Sequence, residues 1–254
     1  MKRLFVLAGL VGVLAAPAVQ AQFQVTLYQD LNNYSDSFTG GEFSAVPDAA
    51  LLSVNPTLAG YAPATANAAP ANPYFQTFCI ETAEEFYPNW IYNVTISDEI
   101  FYNGGQFPTG SPITLGTAWL YSQFAAGTLS GYDYAYGSGR TVSAGDLQLA
   151  IWYLQGETPP GGVAPSLVNG SADGTAFYND AVSALGGTIG DAANGAYGVV
   201  ALNLWVPNGD GSNGAASQDQ LMVVPEPGAA SFGLLLLLPL GAYKLRAFFR
   251  KQTA

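Results

Sequence analysis

The chain has 254 residues, a formal net charge of −11, no histidine and one cysteine. No histidine excludes His-based triads and His-ligated metals, and one cysteine excludes both an intrachain disulfide and a thiolate zinc cage. The sequence has no basic patch for a nucleic acid, and its acidic balance repels one.

Met1, Lys2 and Arg3 form a charged start, residues 4–16 an apolar stretch, and Val19-Gln20-Ala21 a small-residue cleavage site. This pattern predicts a secretory signal peptide over residues 1–21, cut after Ala21 so that the mature chain starts at Gln22. The exported body, residues 22–223, then holds one basic residue, Arg140, against every carboxylate except Glu226. That is 1 against 17, or about −16, with no lysine at all.

Within the body, residues 23–28 alternate and predict a strand. Residues 32–72 are rich in Ala, Pro, Asn and Gly and predict loop, with one short strand at 42–46. Residues 74–82 and 90–97 are aromatic and β-branched with period-two alternation, so both predict strands. A helical apolar pattern covers 113–129. Ser143 as N-cap, with Asp146 in the first turn, predicts a helix over 144–155, ended by Gly156, Pro159 and Pro160. A third helix is expected over 175–185, then strands at 197–206 and 220–224 around an Asn/Gly/Asp loop. The fold class is therefore α+β: an antiparallel β-sandwich or barrel-like unit with a helical insertion. No repeat of 20–50 residues is visible.

Residues 224–254 carry a different signal. Pro225, Glu226 and Pro227 precede an apolar run over 228–243, followed by Lys244, Arg246, Arg250 and Lys251. The prolines forbid a helix across Glu226 and keep it extended, as a protease requires. The run is just under the usual spanning length of about 20 residues, and the basic residues fix the C-terminus in the cytoplasm. This order resembles the PEP-CTERM tail of Gram-negative bacterial surface proteins. The resemblance implies recognition and cleavage by an exosortase, a transient membrane anchor, and residence at the cell surface or in an exopolysaccharide-rich matrix.

Two segments of the body, Phe78-Cys79-Ile80-Glu81 and Leu147-Gln148-Leu149-Ala150-Ile151-Trp152, resemble the paired motifs of bacterial thioester domains. Leu147 stands where that family often has threonine. The resemblance implies that the Cys79 sulfur displaces ammonia from the Gln148 carboxamide, giving an internal thioester that acylates an amine on a surface partner. It implies no cofactor and no turnover, so the chain is not read as an enzyme. A cysteine facing a helix N-terminus would have its pKa lowered. Phe78, Trp152 and Tyr153 would then keep water from the bond. The plainer alternative makes Cys79 a small packing residue and Gln148 a bystander beside the stripe Leu147, Ile151 and Leu154.

Remaining patterns are weaker. Glu81, Glu84 and Glu85 read as a solvated edge. Asn208 to Gly214 with Asp219 echoes a calcium loop, but Asn213 occupies the invariant glycine position and a plain turn is favoured. Gly137-Ser138-Gly139 before Arg140 reads as a turn, not a phosphate loop. Three function classes follow: a covalent adhesin, a non-reactive component of the exopolysaccharide matrix, and a polysaccharide hydrolase working through unmarked carboxylates.

Overall fold

The computed structural model describes residues 22–28, 34–36, 40–60, 74–101, 110–135, 137–157 and 172–224. The signal peptide, the sorting residues Pro225, Glu226 and Pro227, and the basic anchor lie outside them. In chain order the elements are β1 (Phe23–Tyr28), β2 (Tyr34–Asp36), β3 (Gly40–Pro47), α1 (Ala49–Val54), β4 (Phe75–Thr77) and β5 (Trp90–Ser97). A small pair, β6 (Glu99–Ile100) and β7 (Ser111–Pro112), leads into α2 (Leu115–Ala125), α3 (Ser138–Gln155) and α4 (Ala172–Leu185). The described chain closes with β8 (Val199–Pro207) and β9 (Asn213–Val223).

Six strands, in the order β2-β3-β1-β5-β8-β9, form one antiparallel sheet that curls into a half-barrel, with β4 alongside β3. The fold is therefore mixed α+β. Alternation places Val25, Leu27, Ala45, Tyr92, Val94, Leu202, Leu204 and Met222 in one core cluster. The opposite parity, including Phe78, Ile80, Ala201, Leu221 and Val223, packs with the apolar sides of α2, α3 and α4. Both faces of the sheet are thus covered: α2, α3 and α4 lie on one, and Leu51 of α1 packs on the other. Among the described residues no helix is long and apolar enough to cross a membrane.

Several expectations need correction. Helix α3 begins at Ser138, not at 144, because Ser143 does not cap it: its Oγ accepts a hydrogen bond from the Asp133 N–H at 3.1 Å instead. Residues 137–140 are accordingly the start of that helix rather than a turn, and Asp146 lies buried inside it. Gly156, at φ 74, takes the left-handed conformation that ends α3. Helix α1 was expected as loop. Its signal is Asp48, whose carboxylate accepts from the Leu51 N–H at 2.7 Å as an N-cap. Strand β9 is 11 residues long and starts well before 220. Its polar run from Ser217 to Gln220 carries no apolar alternation, yet all four side chains are buried.

Candidate functional site

The segment following β4 bridges two parts of the curled sheet. Thr77 pairs with Phe43 on β3, and two residues later Cys79 stands opposite Gln220 on β9. The flanking bonds run from the Ile80 N–H to the Asp219 carbonyl and from the Leu221 N–H to the Phe78 carbonyl, each at 3.0 Å. Cys79 is therefore an isolated bridge residue just beyond β4, not the middle of a long strand. Its own N–H and C=O point away from β9, toward α3.

Gln148 meets them there. Its Nε2 donates to the Cys79 carbonyl at 2.7 Å, and its Oε1 accepts from the Cys79 N–H at 3.2 Å. The Cys79 Sγ lies 3.1 Å from the same Oε1. Cys79 is 1% exposed and Gln148 0%. The structure thus brings together the two residues that the paired motifs single out. Gln148 lies in the third turn of α3 rather than the first, so no helix N-terminus faces the sulfur. Burial pushes the Cys79 thiol well above its ordinary pKa, and Glu81 adds to this, against backbone bonding and the Trp152 indole, which favour the anion. The expected lowering of the thiol pKa is overturned, since desolvation dominates.

The walls differ in part from expectation. Phe43 and Trp152 form a buried cluster with Cys79, with Phe86 and Leu149 against it. Phe43 and Phe86 meet edge to face at 4.8 Å. Phe78 points the other way, onto Phe124 among the helices, and Tyr153 is exposed beside Tyr178. Trp119 packs with the helical cluster, so it does not share a cluster with Trp152. The Trp152 Nε1 is buried without a hydrogen bond of its own.

Two contacts of the site carry no motif. Gly40 has φ +68, and a Cβ there would sit 3.1 Å from Gln148 Cγ and 3.2 Å from Trp152 Cη2. Only a backbone without a side chain can lie this close over the carboxamide. The Gly40-Gly41 pair was the available signal. Arg140 and Glu42 form a fully buried ion pair between α3 and β3. The Arg140 Nε donates to Glu42 Oε2 at 2.9 Å, and the Tyr132 hydroxyl donates to that oxygen at 2.7 Å.

Glu81 is not on a solvated edge: it is 0% exposed, and only Glu85 of the trio faces solvent. Its Oε2 accepts from the Asp219 N–H at 2.7 Å, and its Oε1 has no partner. Burial, with Asp219 as the nearest like charge, raises its pKa to about 10. Asp219 is raised by burial to about 7, held down by the Phe101 N–H, the Asn203 amide and the Leu204 N–H. Asp219 has three donors and Glu81 one, so Glu81 is the group that keeps the proton. Of the calcium-loop echo, Asp210 is exposed and accepts from the Ser212 N–H at 3.0 Å, closing the β8–β9 turn, whereas Asp219 belongs to this buried cluster. Among the described residues no group of three or more acidic, cysteine or histidine side chains could hold a metal ion.

Comparison with known protein families, curated proteins and solved structures gives no match.

Proposed function

We propose that this is an exported cell-surface or extracellular-matrix protein whose working part is an internal thioester between Cys79 and Gln148, used to attach covalently to an amine. The fold reading that goes with it is a barrel-like antiparallel unit closed over by a helical insertion, as in thioester domains. The observation that carries the proposal is the 3.1 Å approach of the Cys79 Sγ to the Gln148 carboxamide oxygen within a closed site.

The step balances without a co-reactant. The sulfur attacks Gln148 Cδ, the C–N bond breaks, and the thiol proton ends on the nitrogen, which leaves as ammonia. Because burial keeps the thiol protonated, the proton must leave the sulfur as the S–C bond forms and pass to the departing nitrogen. Negative charge developing on Oε1 meets the Cys79 N–H already in place, a single-donor oxyanion site. Enclosure by Phe43, Trp152 and Leu149 slows hydrolysis of the product. An amine later attacks the same carbon, the C–S bond breaks, and one amine proton passes to the sulfur. The body offers no lysine to compete for the bond.

Delivery rests on the two ends of the sequence. The leader cut after Ala21 exports the body. An exosortase cuts the tail at Pro225 to Pro227, with Lys244, Arg246, Arg250 and Lys251 on the cytoplasmic side. Terminal sequencing of the native protein tests this, and an exported pool still ending at Ala254 overturns the sorting.

Intact mass tests the chemistry. Fresh protein should weigh one ammonia less than its mature sequence, and methylamine should add its whole mass to that form, leaving the N-methyl amide of Gln148 one CH2 group heavier than the mature sequence. Cys79→Ala and Gln148→Ala should each abolish both effects. A second reading, a non-reactive component of an exopolysaccharide matrix, draws on the paired bonds between the Gln148 carboxamide and the Cys79 backbone, which a packing role also requires. Full sequence mass, with one thiol titrating in denaturant, would make Cys79 a packing residue and put this second reading in the lead.

A further inference from the structure

Cys79 and Gln220 stand directly opposite each other, and the bonds flanking them make theirs a non-hydrogen-bonded antiparallel pair. In such a pair the Cα atoms approach to about 4.5 Å and both side chains rise on the same face. The Gln220 side chain therefore starts out beside the thiol. It is 0% exposed, and its Oε1 accepts no hydrogen bond. Its Nε2 reaches only the Gln218 carbonyl, at a long 3.4 Å. A buried carbonyl oxygen without a donor is costly, and its neighbour two residues on, Met222, shows that an apolar side chain fits this face of β9. On the same sulfur, the indole N–H of Trp152 is a second buried polar group without a partner.

We propose that Gln220 is the residue that positions the amine at the thioester: its Oε1 accepts a hydrogen bond from the amine nitrogen as that nitrogen leaves or attacks the Gln148 acyl carbon. This rests on the thioester reading above. The chemistry selects a primary amine. When the amine lone pair attacks, the C–S electron pair goes to sulfur and one N–H proton follows it. A primary amine keeps another N–H for Gln220, whereas a secondary amine has none left. Enclosure by Phe43, Trp152 and the Gly40 backbone further restricts the acceptor to an unbranched group, as in methylamine or the CH2–NH2 end of a lysine.

Three forms of the exported body are compared by intact mass over time: wild type, Gln220→Met and Gln220→Glu. Ammonia release and amine capture cross equivalent transition states, so Gln220→Met should slow both by at least about tenfold, the effect of one lost hydrogen bond. Gln220→Glu, which keeps an acceptor oxygen at the same reach, should recover most of the rate. The wild-type preference for methylamine over dimethylamine should narrow in Gln220→Met. If wild type forms the bond and Gln220→Met captures methylamine equally fast, the inference fails alone. If wild type shows equal rates with methylamine and dimethylamine, the inference fails without reference to any variant. If wild type keeps its full sequence mass, the thioester reading fails and takes this inference with it.

Discussion

Gln148 pairs with Cys79 as a neighbouring strand would, giving one hydrogen bond to the Cys79 carbonyl at 2.7 Å and taking one from its N–H at 3.2 Å. The β3–β4 ladder ends at the Phe43–Thr77 pair, and Gln148 supplies the next rung from a helix. The carboxamide is thereby fixed in two directions, with its oxygen against the sulfur. A side chain held by backbone on one side cannot drift by a rotamer. This is the positional precision an intramolecular acyl transfer needs.

Gly40→Ala tests how tightly that rung is held. The left-handed backbone at φ +68 costs a non-glycine residue about 1–2 kcal/mol. The new methyl would also press on Gln148 Cγ and the Trp152 ring. Urea unfolding should show a loss of about that size or somewhat more. The mass deficit should form more slowly than in wild type, because the carboxamide must shift from the sulfur. Unchanged stability with an unchanged rate of ammonia loss would mean that β3 does not cover the site.

The strands at Phe23–Tyr28 and Trp90–Ser97 are legible to the residue, because each has one face in a core and the other less buried. The Cys79–Gln148 juxtaposition was legible from paired motifs, as two short segments far apart in sequence. Its electrostatics were not. Whether a thiol faces a helix terminus depends on where the helix starts, and α3 starts at Ser138 with no side-chain cap, while Ser143, inside it, accepts at its hydroxyl from the Asp133 N–H. Polar residues on β9 were unreadable for a related reason. Gln218 donates to the Glu81 carbonyl at 2.7 Å and Ser217 to the Glu85 carbonyl at 2.7 Å. Partners so remote in sequence make a buried polar strand look like a loop.

Arg140→Met should be among the most damaging single changes in the body. It leaves Glu42 buried without the Arg140 counter-charge while the Tyr132 hydroxyl still donates to it, and removing one member of a buried pair typically costs about 3–5 kcal/mol. The Arg140 Nη1 bond to the Tyr134 carbonyl, at 2.9 Å, is lost as well. Arg140→Met with Glu42→Leu should recover a substantial part, since no unpaired charge then remains. A double-mutant cycle by denaturant unfolding measures the coupling. Additive effects would show that the pair does not clamp α3 to β3.

Stability should fall as pH rises through the neutral range, a trend set by Glu81 and Asp219. Both have folded-state pKa values raised by burial, to about 10 and about 7. Between the ordinary carboxylate range and pH 7 the folded state therefore binds more protons than the unfolded chain. Each such group then lowers the unfolding free energy by about 1.4 kcal/mol per pH unit. Above pH 7 Asp219 has ionised in both states, so of these two carboxyls Glu81 alone continues to contribute and their slope should become shallower. Below pH 4 both are protonated in either state and the trend vanishes. Glu81→Gln keeps an acceptor for the Asp219 N–H and removes the titration, so it should flatten the slope between pH 5 and 9 and leave the protein more stable at pH 9. Urea midpoints across that range check this. A wild type whose midpoint rises from pH 5 to 9 would place both carboxylates in the ionised form, with a counter-charge or solvent at their side.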